Sequence, residues 1–251
     1  MPNDSNSGTS AGQQDWRSLN DRLVATLKPF APPVAISFLA EGQTAHVARL
    51  DDTYPDPNEQ GRTGQVAAGC VFWIRGSSGS FATSAADHAN CSVGSLTHGF
   101  ITLEEAASKD DVCAVLESGW VDEAAVGALP VVTSKPDTVV YAPLADAKVD
   151  PDVVLVRING LGLMTLKGAF PDMRIEGKPQ CHIVAIAKEQ GAVTASVGCA
   201  LSRARTGMKA EEMTCAIPAS RLGEIVAALE STVTLDRAMA SYASADAKRF
   251  N

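Results

Sequence analysis

The sequence predicts a mixed α/β fold in a single main domain, and three observations carry that prediction. Short apolar runs rich in β-branched residues, such as residues 33–39 and 153–158, alternate with segments whose apolar residues recur at helical spacing. The composition, 45% hydrophobic and 20% charged, is that of an ordinary globular chain. The length, 251 residues, is enough for one core that needs no disulfide staples. The expected architecture is a mixed sheet with flanking helices. A candidate boundary between two pseudo-repeated half-domains falls near residues 130–138.

The elements follow in order. Residues 1–15 are small, polar and free of large apolar side chains, and read as a disordered tail. Trp16, Leu19, Leu23, Val24 and Leu27 recur with a helical period, which Pro32 and Pro33 end. PVAISFL at 33–39 is a strand; residues 41–64, polar and unpatterned, are mostly loop. GQVAAGCVFWIRG is a helix ending near Gly76, and a short strand is expected over 81–84. Segments 103–119 and 121–128 are helical, with acidic residues near their starts, where carboxylates suit the helix dipole. DTVVYAPL and PDVVLVRI are strands, and Gly160 and Gly162 lead into a helix over LMTLKGAF. CHIVAIAKEQG is a helix with Cys181 in its first turn and Gly191 as its stop. VTASVGC is a strand running into Cys199, EEMTCAIP is a strand, ASRLGEIVAAL is a helix, and the last twenty residues form one more.

Several function classes are excluded at this level. Lys and Arg total 21 against 29 Asp and Glu, with no basic run, so a nucleic-acid surface is not expected. No apolar stretch reaches the length of a membrane span or forms a secretory leader, and the expected location is the cytoplasm.

In a reducing compartment six cysteines point to metal ligation or thiol chemistry before disulfides. Cys113 and Cys215 sit in apolar helical and strand contexts and read as core residues. Cys70, Cys91, Cys181 and Cys199 recur as C-x20-C and C-x17-C, each pair after a strand in its half of the chain. Cys181 opens a helix, where exposed N–H groups lower a thiol pKa. Cys91 lies in Asp87-His88-Ala89-Asn90-Cys91, with His98 seven residues on. His88 and His98 are candidate metal ligands, general acids or hydrogen-bond donors to a ligand; His182 is a weaker candidate and His46 reads as surface. Arg203 and Arg205 follow Cys199 closely and could clamp an anionic group, with Arg203 the first choice. No C-x-x-C, H-E-x-x-H, G-x-S-x-G or Walker pattern occurs, and Asn159-Gly160-Leu161-Gly162-Leu163 lacks the third glycine of a dinucleotide turn.

Read together, PVAISF, AAGCVFW, DHANCSVGSLTHG, PDVVLVRINGLGLM, PQCHIVA, VTASVGCALSR and EEMTCAIP resemble, in this order, the uncharacterised family called domain of unknown function 169. The resemblance runs from about Leu19 to Leu229. It implies one cysteine at each of the positions of Cys70, Cys91, Cys181 and Cys199, and none at Cys113 or Cys215. Where the family has Gly-Ser-Arg after the last cysteine this chain has Ala-Leu-Ser-Arg, so only Arg203 carries over; Leu163 replaces a frequent glutamine.

The functional expectation is a thiolate metal-binding protein. Cys70, Cys91, Cys181 and Cys199 would hold an iron–sulfur cluster, most simply 4Fe-4S, in redox or Lewis-acid chemistry on a small anion. His88, His98 and Arg203 would be the catalytic residues of an iron–sulfur oxidoreductase or lyase. The alternatives are zinc on the same ligands, a metal-free small-ligand module, and a nucleophilic Cys91 with His88 or His98 as base. Expected partners are a small-molecule substrate or ligand and either a second copy or an electron-transfer protein, with no nucleic acid and no membrane.

Overall fold

Asp15, expected in the tail, instead caps the first helix, α1 (Trp16–Leu27): its carboxylate accepts the Ser18 N–H at 3.0 Å. Trp16, Leu19, Leu23 and Leu27 are the buried stripe of that helix. The structure, a computed structural model, describes residues 15–50 and 68–247. The expectations for residues 1–14 and for the loop over 51–64 lie outside the described residues.

The chain continues as β1 (Val34–Leu39), α2 (Gly69–Arg75), β2 (Phe81–Thr83), α3 (Ala85–His88) and α4 (Ser92–Thr97). Three short helices follow, α5 (Leu103–Ala107), α6 (Asp110–Glu117) and α7 (Glu123–Gly127), so the segment expected as one helix over 103–119 is two. Then come β3 (Thr138–Pro143), β4 (Val153–Ile158), α8 (Gly160–Ala169), β5 (Arg174–Glu176), α9 (His182–Gln190), β6 (Thr194–Ser196), α10 (Ala200–Thr206), β7 (Met213–Pro218) and α11 (Leu222–Ala247). The last helix runs unbroken where two were expected. After Gly223 no Gly or Pro interrupts it.

The seven strands form one mixed sheet in the order β2-β3-β1-β4-β7-β6-β5, antiparallel except for β5 against β6. The mixed α/β class is therefore as expected. The register repeats on either side of the β1–β4 seam. Val34 faces Pro143 as Val153 faces Pro218, and the seam pairs Val34 with Leu155 and Ile36 with Val153. Short strands β2 and β6 add to the outer sides of β3 and β7. In each half a helix leads into that short strand, α2 or α9, and another follows it, α4 or α10.

Alternation along the strands makes two apolar layers. Ala35, Val154, Val156, Ile158, Cys215 and Ile217 face a core shared with α1, α8 and α11. Val34, Ile36, Phe38, Val153, Leu155 and Ala216 face the opposite way, onto α2 and α9 with Phe72, Trp73, Ile183 and Val184. That second layer carries the candidate site. The long α11 is buried only near its start, and no described helix is long and apolar enough to cross a membrane.

Candidate functional site

The helices on the second sheet face present their N-terminal ends to one cavity. Cys91, Cys181 and Cys199 are the N-cap residues of α4, α9 and α10, and Cys70 is the second residue of α2. All four line a cavity of about 280 Å³ together with Gly69, Gly94, Gln180, Ser202 and Arg205. Its outer wall comes from α6, α7 and their flanking turns: Asp111, Ala114, Val115, Trp120, Val121, Val126 and Leu129.

The thiols do not make the metal centre expected of them. Among the described residues no three His, Cys, Asp or Glu side chains come together to hold a metal ion. The expectation of an iron–sulfur or zinc site on Cys70, Cys91, Cys181 and Cys199 is corrected on that geometry. The four thiols share the cavity wall, and Cys70 and Cys181 each sense the charge of Cys91 and Cys199. Cys70 accepts from the Ser202 hydroxyl, Cys91 from the Arg205 guanidinium, and Cys199 from the Ser202 backbone N–H at 3.4 Å, while Cys181 lies beside Thr97, whose hydroxyl donates to the Gly94 carbonyl at 3.0 Å.

Burial decides the protonation of the two deepest thiols. Loss of water pushes Cys70 up to about 12, with nearby Cys91 adding to the effect. Cys181 is likewise raised well above the usual thiol value, first by burial and then by Cys91. The helix start, expected to lower Cys181, is outweighed: a buried thiolate loses more hydration than the helix end returns. At neutral pH both are neutral thiols, polarisable and weakly polar wall atoms. All six cysteines are free. Cys215 is fully buried in the first core layer, and Cys113 is half-buried on α6, its thiol toward the Ala107 carbonyl at 3.6 Å.

Two polar side chains stand out in the cavity wall, Gln180 and Arg205. The Gln180 side chain is 1% exposed; its amide donates to the Ser202 hydroxyl, and its Oε1 has no hydrogen-bond partner. The Arg205 guanidinium donates at 3.4 Å to the Asn90 carbonyl and to the Cys91 sulfur. Burial works to lower the Arg205 pKa, but Cys91, Cys70 and Asp111 outweigh it, and the net shift is upward. Asp111 itself accepts the Ser92 backbone N–H at 2.9 Å.

Arg203, preferred from the sequence, is committed elsewhere. Its guanidinium donates to the carbonyls of Val197 (3.0 Å), Glu212 (2.8 Å) and Lys209, tying α10 to the turn before β7. Two positions along the same helix separate a structural arginine from a cavity arginine.

His88 and His98 stand behind the cavity wall instead of in it. Both are buried, 5.2 Å apart between ring centres, among Phe38, Phe72, Trp73, Phe100 and Tyr141. Thr83 donates its hydroxyl to the Val139 carbonyl, so at the 3.1 Å contact it accepts from His88 Nε2–H. His98 Nδ1 donates to the Gly94 carbonyl at 2.9 Å. Each ring is thus a defined neutral tautomer, leaving His88 Nδ1 and His98 Nε2 as unpartnered acceptors. Burial lowers the His98 pKa to about 4 and His88 well below its usual value, the latter further depressed by His98. Gly69 separates this pair from the cavity. A Cβ there would stand 3.1 Å from His98 Cε1. His182 faces Glu176 at 3.5 Å, and His46 is exposed.

Gln180 carried no signal in the sequence beyond standing next to Cys181. No curated protein and no solved structure matches the chain. The family model described as uncharacterised ArCR matches residues 22–228, which include all four cavity cysteines, and the chain belongs to that family, domain of unknown function 169.

Proposed function

We propose that this protein binds a small organic molecule in the four-cysteine cavity. The observation that carries the reading is the cavity itself: about 280 Å³, bounded by apolar side chains, with a few convergent polar groups from both halves of the chain. The neutral thiols of Cys70 and Cys181 suit an apolar, polarisable ligand body, and Gln180 and Arg205 suit its polar end. The histidines do not line this cavity, so a base for thiol chemistry at Cys91 is not at hand in its wall. Six free cysteines fit residence in the reducing cytoplasm.

The test is titration with anilinonaphthalene sulfonate, an apolar fluorescent anion, against wild type and Gly94→Leu. A Cβ on Gly94 meets only the Cys91 side chain, at 3.4 Å and beyond, so the helix accepts a side chain that then enters the cavity. Saturable one-to-one binding by the wild type, lost in a Gly94→Leu protein with unchanged circular dichroism, supports the reading. Equal binding by both, or none by the wild type, overturns it.

A further inference from the structure

We propose that the ligand is a monocarboxylate with an apolar body and one N–H or O–H donor: Arg205 takes the carboxylate and Gln180 accepts the donor. The proposal rests on the cavity being a ligand site.

Arg205 is a permanent cation in a mostly apolar wall, and among the described residues no carboxylate stands within ion-pairing distance of it. Among the described residues it donates to one carbonyl at 3.4 Å and one sulfur, against five N–H donors in a planar fork. A fork so placed is satisfied by the two oxygens of a carboxylate, which also supplies the missing countercharge. Asp111, on the outer wall, adds negative potential to the Arg205 surroundings but is held by the Ser92 N–H. One arginine with one nearby aspartate favours a single negative charge over a dianion such as phosphate.

Gln180 supplies the second, independent observation. Its side-chain nitrogen is fixed on Ser202, which in turn donates to Cys70, so the amide is oriented and its carbonyl oxygen is left as an acceptor. A buried acceptor without a partner costs stability unless a donor reaches it. A carboxylate alone cannot satisfy it; a ligand hydroxyl or N–H can.

Calorimetric titration with an isosteric indole series tests both groups: indoleacetate, tryptophol, tryptamine and N-methylindoleacetate. Indoleacetate is expected to bind one-to-one, with tryptophol weaker by about 10- to 100-fold, the range of a charged hydrogen bond, and tryptamine weaker still. Arg205→Gln is expected to erase the preference for the acid over the alcohol. N-methylation is expected to weaken binding to the wild type and to make no difference in Gln180→Met. Tryptophol binding as tightly as indoleacetate overturns the carboxylate assignment while leaving the cavity reading in place. So does binding of anilinonaphthalene sulfonate with no binding of any indole. Failure of the wild type to bind the sulfonate overturns the cavity reading itself.

Discussion

The buried histidine pair makes stability depend on pH in a window where few other groups titrate. His98 has an ordinary value of 6.5 and is lowered by burial to about 4. Between those values the unfolded chain binds a proton that the native ring refuses, so stability rises with pH across the window. Its contribution is fully present above pH 6.5 and is lost as pH falls toward 4. At about 1.4 kcal/mol per pH unit, His98 alone accounts for about 3 kcal/mol. His88 acts with the same sign, since burial and His98 lower it as well, and so does His182, lowered by burial despite Glu176. Urea unfolding at intervals from pH 7.5 to 4.5 should therefore show stability falling by several kcal/mol below pH 6.5. His98→Gln should reduce the slope by about one proton's worth, about 1.4 kcal/mol per unit. A flat profile between pH 6.5 and 5 would refute the assignment of the pair as buried neutral rings. Carboxylates such as Glu105, Glu224 and Glu230 are lowered in the fold by hydrogen bonds from an ordinary 4.5 and add a slope of the same sign only toward the acid end of this window, so the slope from pH 6.5 to about 5.5 belongs to the histidines.

Four further outcomes are expected. Above pH 9 stability should fall in the same urea assay, because Cys70, Cys181 and Cys215 are all raised by burial and the unfolded chain ionises first; stability unchanged from pH 8.5 to 10.5 would count against buried neutral thiols. Gly69→Ala should lower stability by about 1–2 kcal/mol in chemical unfolding. Overpacking against His98 costs about 1–3 kcal/mol and a better helix former returns less than about 1. Gly94→Ala, with only ordinary contacts, should be neutral or stabilising. Under native conditions at pH 8, iodoacetamide followed by peptide mass spectrometry should find Cys70 and Cys181 alkylated after Cys91 and Cys199, which are more exposed; the reverse order contradicts the cavity geometry.

Strands over 34–39, 153–158 and 213–218 were legible because a buried β-strand needs a run of branched and apolar residues, and such runs are rare elsewhere in this chain. The edge strand β5 was not, since Arg174, Ile175 and Glu176 are largely exposed and show no apolar pattern. The last helix was read as two because its buried stripe ends at Leu229, although nothing in the backbone chemistry stops it there. At the site, a helix signal put Cys181 at a helix start; the structure places Cys91 and Cys199 at helix starts as well and brings all four cysteines to one cavity. Spacing along the chain gives no distance between sulfur atoms, and the step from four cysteines to a shared metal failed there. Arg203 and Arg205 differ by two positions on a helix, a rotation of roughly 200°, so choosing between them needed the direction of α10. Gln180 and the neutral histidines draw their character from burial, a property of the assembled second layer and not of any local motif.

The most direct test of the central claim is a crystal structure of the protein with indoleacetate. The account predicts the indole inside the cavity bounded by Cys70, Cys91, Cys181 and Cys199, its carboxylate within hydrogen-bonding distance of Arg205 and its N–H toward Gln180 Oε1. Indoleacetate bound elsewhere, or lying in the cavity with its carboxylate turned away from Arg205, contradicts it.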